Sequence, residues 1–395
     1  MTKIYDILKS GVCEVISDRD FIKLLLHKNN LVIKVGFDPT ADILHLGHYL
    51  IFKKLKDFQL LGCTISIIIG DFTAAIGDPS GKTNVRKHIS KVKIIENYKK
   101  YSGYIFNILD KNLVKIYFNS SWFDFVSFKE FIELASLCSV AKLLERSDFK
   151  IRYTSNKHIS LHEFIYPVLQ AYDSVLLNAD IEIGGIDQKF NLLLARDFQK
   201  KFFQKQQVLI MIPILTGLDG INKMSKSLNN YISIDENDYD MFCKIMSIPD
   251  CLMKEYFVNF GFYTVFEYDQ LLLEIENLMN LKLDLAFKIV SLIYNKDKAD
   301  IAKGKFINYF SMRKIDVDIE TIDFFLNDMI VSLYDVCLHF NLIVSNSDFK
   351  RHLKQKSIKI DSIVICDKNF ELKLNNIYLI QFGKKKVFKV RLIKK

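Results

Sequence analysis

The sequence is short of several features by which chains are readily sorted. Its seven cysteines form no C-x-x-C pair and no regular framework, which argues against disulfides and for reduced thiols in a cytoplasmic protein. No apolar run approaches the roughly 20 residues that a membrane-spanning helix requires. The first residues lack the charged-then-apolar pattern of a secretory signal. Only 5 prolines and 15 glycines occur among 395 residues, while Phe, Ile, Lys, Asn and Tyr are abundant; that bias weakens arguments from propensity. A Walker-type phosphate loop is absent, because the Gly and Lys spacing in Ile76–Lys82 is wrong for it. No set of metal ligands is read from the sequence.

What is present is hydrophobic and mildly basic. Half of the residues are hydrophobic, ample for a large core, and the length suffices for two or three domains. The net charge of +9 and the pI near 8.9 fit an ordinary basic surface or a polyanionic partner such as RNA. Strands are predicted over Leu31–Val35, Thr64–Ile69, Leu113–Phe118, Ile181–Gly185 and Val208–Leu215, the first two of them buried, with helical stretches between them. That alternation implies an α/β fold with a Rossmann-like, doubly wound parallel sheet. An entry helix is predicted over Asp18–Lys28, and a largely apolar helical stretch over Phe123–Asp148. After Ser227 the alternation stops. Residues 236–309 are helical in pattern, with Leu285, Ile289 and Leu292 on one apolar stripe. A small α+β unit begins near Val331. Its serine-capped helix, Ser345–Lys356, carries Lys350, Arg351, Lys354 and Lys356, and strands are predicted over Lys359–Ile365 and Ile377–Phe382. The residues from Arg391 to Lys395 add charge. Cations gathered on so small a unit favour contacts to RNA phosphates.

The chemistry is organised around Gly36–His48, Gly-Phe-Asp-Pro-Thr-Ala-Asp-Ile-Leu-His-Leu-Gly-His. It links the first strand to an amphipathic helix predicted over Tyr49–Leu61. Gly36 permits a sharp turn, and Pro39 fixes the chain as it leaves. His45 and His48, three apart at the helix start, point to one side, and Gly47 lets a flat ligand approach the backbone. A helix N-terminus favours phosphate, and two imidazoles there can donate to the oxygens of a nucleotide. A second stretch, Lys223-Met224-Ser225-Lys226-Ser227, follows the last predicted strand and a turn at Gly217–Gly220. Two lysines and two hydroxyls on a loop suit a departing phosphate group. Between them, Tyr166, Gln170 and Asp173 lie four and three apart, on one face of a helix. Gly184–Gln188 forms another glycine turn, with a carboxylate available to a ribose hydroxyl.

H-x-G-H late in the first βα turn, paired with K-M-S-K-S after a late strand, resembles the class I aminoacyl-tRNA synthetases. Within them the chain is similar to the tyrosine-specific branch of bacterial type, over nearly its whole length. That resemblance implies a tyrosine–tRNA ligase using L-tyrosine, ATP with Mg²⁺, and tRNA(Tyr). It implies catalytic roles for His45, His48, Lys82, Arg86, Lys223 and Lys226. ATP would be held by Gly36, Asp38, Thr40, His45, Gly47, His48, Gly185, Asp187 and Lys226. Tyrosine would meet Lys34, Asp78, Tyr166, Gln170, Asp173 and Gln188, with Asp173 at the phenol. The best-known branch has a tyrosine where this chain has Lys34; a second bacterial branch carries the unaltered K-M-S-K-S and tolerates lysine there. Homodimers are expected through an insertion at about 123–157. The expected division is a catalytic domain over 1–232, a helical domain over 233–325 and, over 331–395, an RNA-binding domain resembling that named after ribosomal protein S-four. A tryptophan-specific sister enzyme, a small H-x-G-H nucleotidyltransferase and a synthetase-derived RNA-binding protein are the competing readings. The polar stripe and basic tail favour tyrosine, and the intact signatures favour an enzyme.

Overall fold

Strands made of continuous β-branched and apolar runs have no polar face to show to water, so they belong inside a parallel sheet covered on both sides. The computed structural model describes residues 9–17, 31–40, 43–78, 89–275, 277–311, 321–326, 330–340, 342–355, 357–361, 363–374, 376–383 and 386–394. In it these runs become β2 (Ile33–Phe37), β3 (Ile65–Ile69), β4 (Val114–Phe118), β5 (Ile181–Gly185) and β6 (Val208–Ile212), and a short β1 (Glu14–Ile16) precedes them. The sheet order is β1-β6-β5-β2-β3-β4. Strands β2 to β6 are parallel, and β1 adds an antiparallel edge to β6. All of β3 and β6 is buried. The chain runs outward from β2 through β3 to β4, then returns to place β5 on the other side of β2. Ligands of doubly wound sheets bind beyond the strand ends at such a reversal.

Several expectations are corrected in detail. Gly36 is not a turn residue: β2 runs through it to Phe37. The helix after the histidines spans Leu46–Gln59 and buries Leu46, Leu50, Phe52, Leu55 and Phe58. The predicted helix over Phe123–Asp148 is broken into Ser120–Phe123, Phe128–Ser136, Val140–Leu143 and the start of Ser147–Thr154. Serines cause two of the breaks. The hydroxyls of Ser127 and Ser139 accept the N–H groups of Glu130 and Lys142, so each starts a new helix. The predicted entry helix lies outside the described residues.

By compactness the chain divides into Met1–Lys303 and Gly304–Lys395. The first unit also holds helices Asp238–Ser247, Met253–Asn259, Val265–Glu274 and Leu278–Ile293. Within the last of these Leu285 and Ile289 are fully buried but Leu292 is 37% exposed, so the apolar stripe ends a turn early.

The second unit, taken by itself, contains β7 (Thr321–Leu326), β8 (Ile330–Ser332), β9 (Ile358–Ile360), β10 (Ile363–Val364), β11 (Glu371–Lys373), β12 (Ile377–Phe382) and β13 (Lys386–Lys394). They form a five-stranded sheet, β10-β9-β12-β13-β7, and a β11-β8 pair. The predicted strand over Lys359–Ile365 is a hairpin, turned by Asp361 in the left-handed region at φ +48°. The basic tail is strand rather than loose charge: Val390 and Leu392 are buried while Arg391 between them is exposed, the period of two that a strand imposes. The basic helix spans Asn346–Lys354, capped by Ser345, with Phe349 and Leu353 inward. Lys350, Arg351 and Lys354 are exposed. Lys356 lies outside the described residues.

Candidate active site

A cleft of about 810 Å³ opens where the sheet order reverses. Strand β2 and the segment after it contribute Lys34, Gly36, Asp38 and Thr40. The helix start contributes His45, Gly47 and His48, and Asp78 comes from beyond β3. Helix Leu161–Leu176 contributes Tyr166, Gln170 and Asp173. The end of β5 contributes Gly185, Asp187 and Gln188, and the loop after β6 contributes Lys223. Residues as far apart in sequence as Lys34 and Lys223 therefore face one space. Lys226 is exposed and not part of the lining. Lys82 and Arg86 lie outside the described residues.

At the histidine end the backbone N–H of His45 donates to Nδ1 of His48 over 3.2 Å. The neutral His48 ring therefore carries its proton on Nε2. The two rings lie 4.0 Å apart. Burial pushes His48 down to about 4. Burial, with the neighbouring His48 and Lys223, pushes His45 down to about 2. Both are neutral at physiological pH and can meet phosphate as N–H donors, not as cations. A Cβ at Gly47 would come within 3.1 Å of the His45 ring, so a side chain there would displace it.

The lysine loop is tied to the histidine turn through the chain that follows it. Leu46 N–H donates to the Ile232 carbonyl at 3.0 Å, and Ile234 N–H to Leu44 at 3.1 Å. Buried Asn230 holds the base of the loop. Its Oδ1 accepts the Ser225 N–H at 2.8 Å, and its Nδ2 donates to Asp219 and the Lys223 carbonyl. Lys223 Nζ lies 3.4 Å from Asp187 Oδ2, both partly exposed. A pair in that setting is worth about 0–1 kcal/mol, so an arriving ribose or phosphate can open it.

At the opposite end three side chains line up. Tyr166 Oη donates to Asp38 Oδ2 at 2.9 Å, and Thr73 donates to Asp38 Oδ1 at 2.9 Å. A Cβ at Gly70 would fall 2.0 Å from that Asp38 oxygen, so glycine is required there. Gln188 Nε2 donates to Asp78 at 2.7 Å. Buried Asn191 donates to both Gln170 and Gln188.

The deepest carboxylate is Asp173. Its Oδ1 accepts from Trp122 Nε1 at 2.9 Å and its Oδ2 from Asn119 at 3.4 Å. Burial pushes it up to about 7, against the pull of Lys34, Trp122 and Asn119. Lys34, although buried, does not bond to Asp173. Its ammonium pairs with Glu182 at 2.8 Å and donates to Ser174 Oγ at 2.5 Å and the Gln170 carbonyl at 3.2 Å. Those three contacts use all three of its hydrogens. Glu182 also accepts from Ser174 at 2.8 Å and from Gln207, which closes a buried network beneath the pocket.

Sequence reasoning missed Asn119, Trp122, Glu182, Asn191 and Asn230. Trp122 is the only tryptophan in the chain and follows the end of strand β4, a position from which it could have been suspected. The asparagines act through tertiary partners far away in sequence and leave no local pattern.

Comparison with known proteins shows the family. A sequence profile of the family described as tRNA synthetases class I (W and Y) matches residues 26–311. A tyrosine–tRNA ligase of Legionella pneumophila (strain Lens) is 42% identical over 386 residues, covering 97% of this chain and 96% of the relative. One from Aquifex aeolicus is 40% identical over 384 residues, covering 97% of each. The solved tyrosyl-tRNA synthetase of Archaeoglobus fulgidus, in complex with L-tyrosine, shares the fold at TM-score 0.60 and 21% identity, over 77% of this chain and 99% of that one.

Proposed function

This chain belongs to the class I tRNA synthetases for tryptophan and tyrosine, and from that premise we propose how its cleft works. The activity is that of its relatives, ligation of tyrosine to tRNA with ATP as substrate. The carboxylate of tyrosine attacks the α-phosphorus of ATP, the bond to the bridging oxygen breaks, and pyrophosphate leaves. The terminal ribose hydroxyl of tRNA(Tyr) then attacks the activated carbonyl and AMP departs. No side chain need form a covalent intermediate; catalysis comes from positioning and from stabilising charge on the phosphates.

The observation that carries the assignment of roles is the meeting of the two signatures with the polar stripe in one cleft. His45 and His48 donate to ATP oxygens as neutral rings, with Gly36, Asp38, Thr40 and Gly47 beside them. Gly185 and Asp187 take the ribose. Lys223 and Lys226, with Lys82 and Arg86, act on the departing pyrophosphate. Asp78, Tyr166, Gln170 and Gln188 hold the amino and carboxyl groups of tyrosine. Asp173 accepts the phenol, and Lys34 supports the pocket floor. Mg²⁺ enters with ATP, held by phosphate oxygens and water; among the described residues no three His, Cys, Asp or Glu side chains group into a metal site.

The remaining parts of the reading concern the rest of the chain. Residues 1–232 carry out adenylation and 331–395 bind tRNA(Tyr) through Lys350, Arg351, Lys354 and Lys356; the helical domain, expected over 233–325, is kept to the helices from Asp238 to Lys303, because Thr321–Leu326 is a strand of the second unit's sheet. The enzyme works as a cytoplasmic homodimer. Its insertion at about 123–157 offers Phe125, Phe128, Ile132 and Val140, all exposed, for a two-fold contact. ATP–pyrophosphate exchange with each amino acid in turn is the test. Exchange with tyrosine alone is expected, and exchange driven by tryptophan, or none at all, would overturn the reading.

A further inference from the structure

Resting on the proposed function, we propose that Asn191 is a positioning residue that sets the polarity of the amino-acid end of the cleft. Asn191 starts from helix Lys189–Lys201 and is 1% exposed. Its Oδ1 faces Arg146 Nη1 at 3.2 Å. A guanidinium can only donate, so the atom turned toward it must be the oxygen. The Asn191 NH₂ is then committed to the other side. There it meets Gln170 Oε1 at 2.8 Å and Gln188 Oε1 at 3.0 Å. Each glutamine must therefore turn its oxygen to Asn191 and its NH₂ away.

The opposite end of the chain of bonds agrees. Gln188 Nε2 donates to Asp78 Oδ2 at 2.7 Å, and a carboxylate can only accept. Among the described residues no acceptor meets Gln170 Nε2, and Gln170 lines the cleft. Arg146 is itself held by two bonds to Asp148, at 2.7 and 2.5 Å. One cation thus dictates, through one buried amide, how two glutamines present themselves to the substrate. An amide free to rotate would offer donor and acceptor with similar ease, and each approach of tyrosine would have to order it first.

Asn191→Asp tests this without changing shape. The carboxylate keeps Arg146 as an ion pair but confronts two glutamine oxygens. Gln170 and Gln188 must then rotate, and a rotated Gln188 turns its oxygen on Asp78. The expected result is a KM for tyrosine in ATP–pyrophosphate exchange raised about tenfold or more, as for a buried polar group left mispaired. The KM for ATP should stay where it is. Asn191→Ser, which removes both contacts without reversing polarity, should raise the tyrosine KM by a smaller factor, and it carries the test if the Asp variant does not fold. Unmoved tyrosine KM in the folded variants, or equal rises for tyrosine and ATP, would overturn the inference while leaving the proposed function intact. Absence of tyrosine-dependent exchange in the unaltered enzyme would overturn that function, and this inference with it.

Discussion

Asp173 should make tyrosine recognition titrate near neutrality. Burial raises its carboxyl from 3.8 to about 7, about 4 kcal/mol against the ionised form. The phenol needs an acceptor, and the ionised carboxylate provides one beside the bonds from Trp122 and Asn119. The sign follows: the binding form is present above about pH 7 and is lost as pH falls through that value. Because kcat/KM reports the free enzyme, kcat/KM for tyrosine in ATP–pyrophosphate exchange should fall about tenfold per unit below pH 7. A hydrogen bond to a charged group nets about 1.5–3 kcal/mol, so bound tyrosine should draw the carboxyl down by about 1–2 units. The kcat profile should therefore hold to lower pH than the kcat/KM profile. Phenylalanine brings no hydroxyl, and its kcat/KM should not fall with acid, so the ratio between the two substrates should narrow. His45 and His48, pushed down to about 2 and about 4, stay neutral from pH 6 to 9, and the KM for ATP should be flat across that range. Replacing both charges beneath the pocket, Lys34→Met with Glu182→Gln, removes the cation that pulls Asp173 down, and the acid limb should move to higher pH. A flat tyrosine profile between pH 6 and 8, or a phenylalanine profile falling in parallel, would refute the reasoning.

Three further outcomes are expected. Lys223→Ala should slow adenylate formation by about 3 kcal/mol, the size of one lost oxyanion donor, with little change in ATP affinity; pre-steady-state measurement showing equal losses in both would contradict its role toward pyrophosphate. A chain ending at Lys303 should keep tyrosine-dependent exchange but charge tRNA poorly, and tRNA binding by the intact enzyme should weaken as salt rises; normal charging by the shortened chain would remove the second unit from tRNA recognition. An apolar groove of about 400 Å³ lined by Phe72, Phe123, Phe128, Phe131 and Leu134 lies beside the exposed phenylalanines of the insertion. Sedimentation of the unaltered enzyme should give a dimer and of Phe128→Glu a monomer, and a monomeric unaltered enzyme would rule out the proposed assembly.

The parallel sheet was legible in the sequence because its inner strands, β3 and β6 above all, are buried throughout and read as largely apolar runs; β3, β5 and β6 fall within or at their predicted limits. Both signatures and the stripe Tyr166, Gln170 and Asp173 were legible for a related reason, since a short spacing on one helix or turn dictates which side chains share a face. Elements whose reason lies elsewhere in the chain were not. Strand β13 hides among lysines because only alternate residues meet the core, and β7 exists as the parallel partner of β13, more than 60 residues away. The same limit applies within the cleft. Lys34 reads as a candidate phenol ligand, yet Glu182 and Ser174 claim its hydrogens once β5 and helix Leu161–Leu176 pack around it. Asn191 reads as one more polar residue on an amphipathic helix until Arg146 arrives from a separate segment to orient it. Local spacing determines which groups can act; the direction in which a buried donor or acceptor points is decided by partners that only the folded chain brings within 3 Å or so.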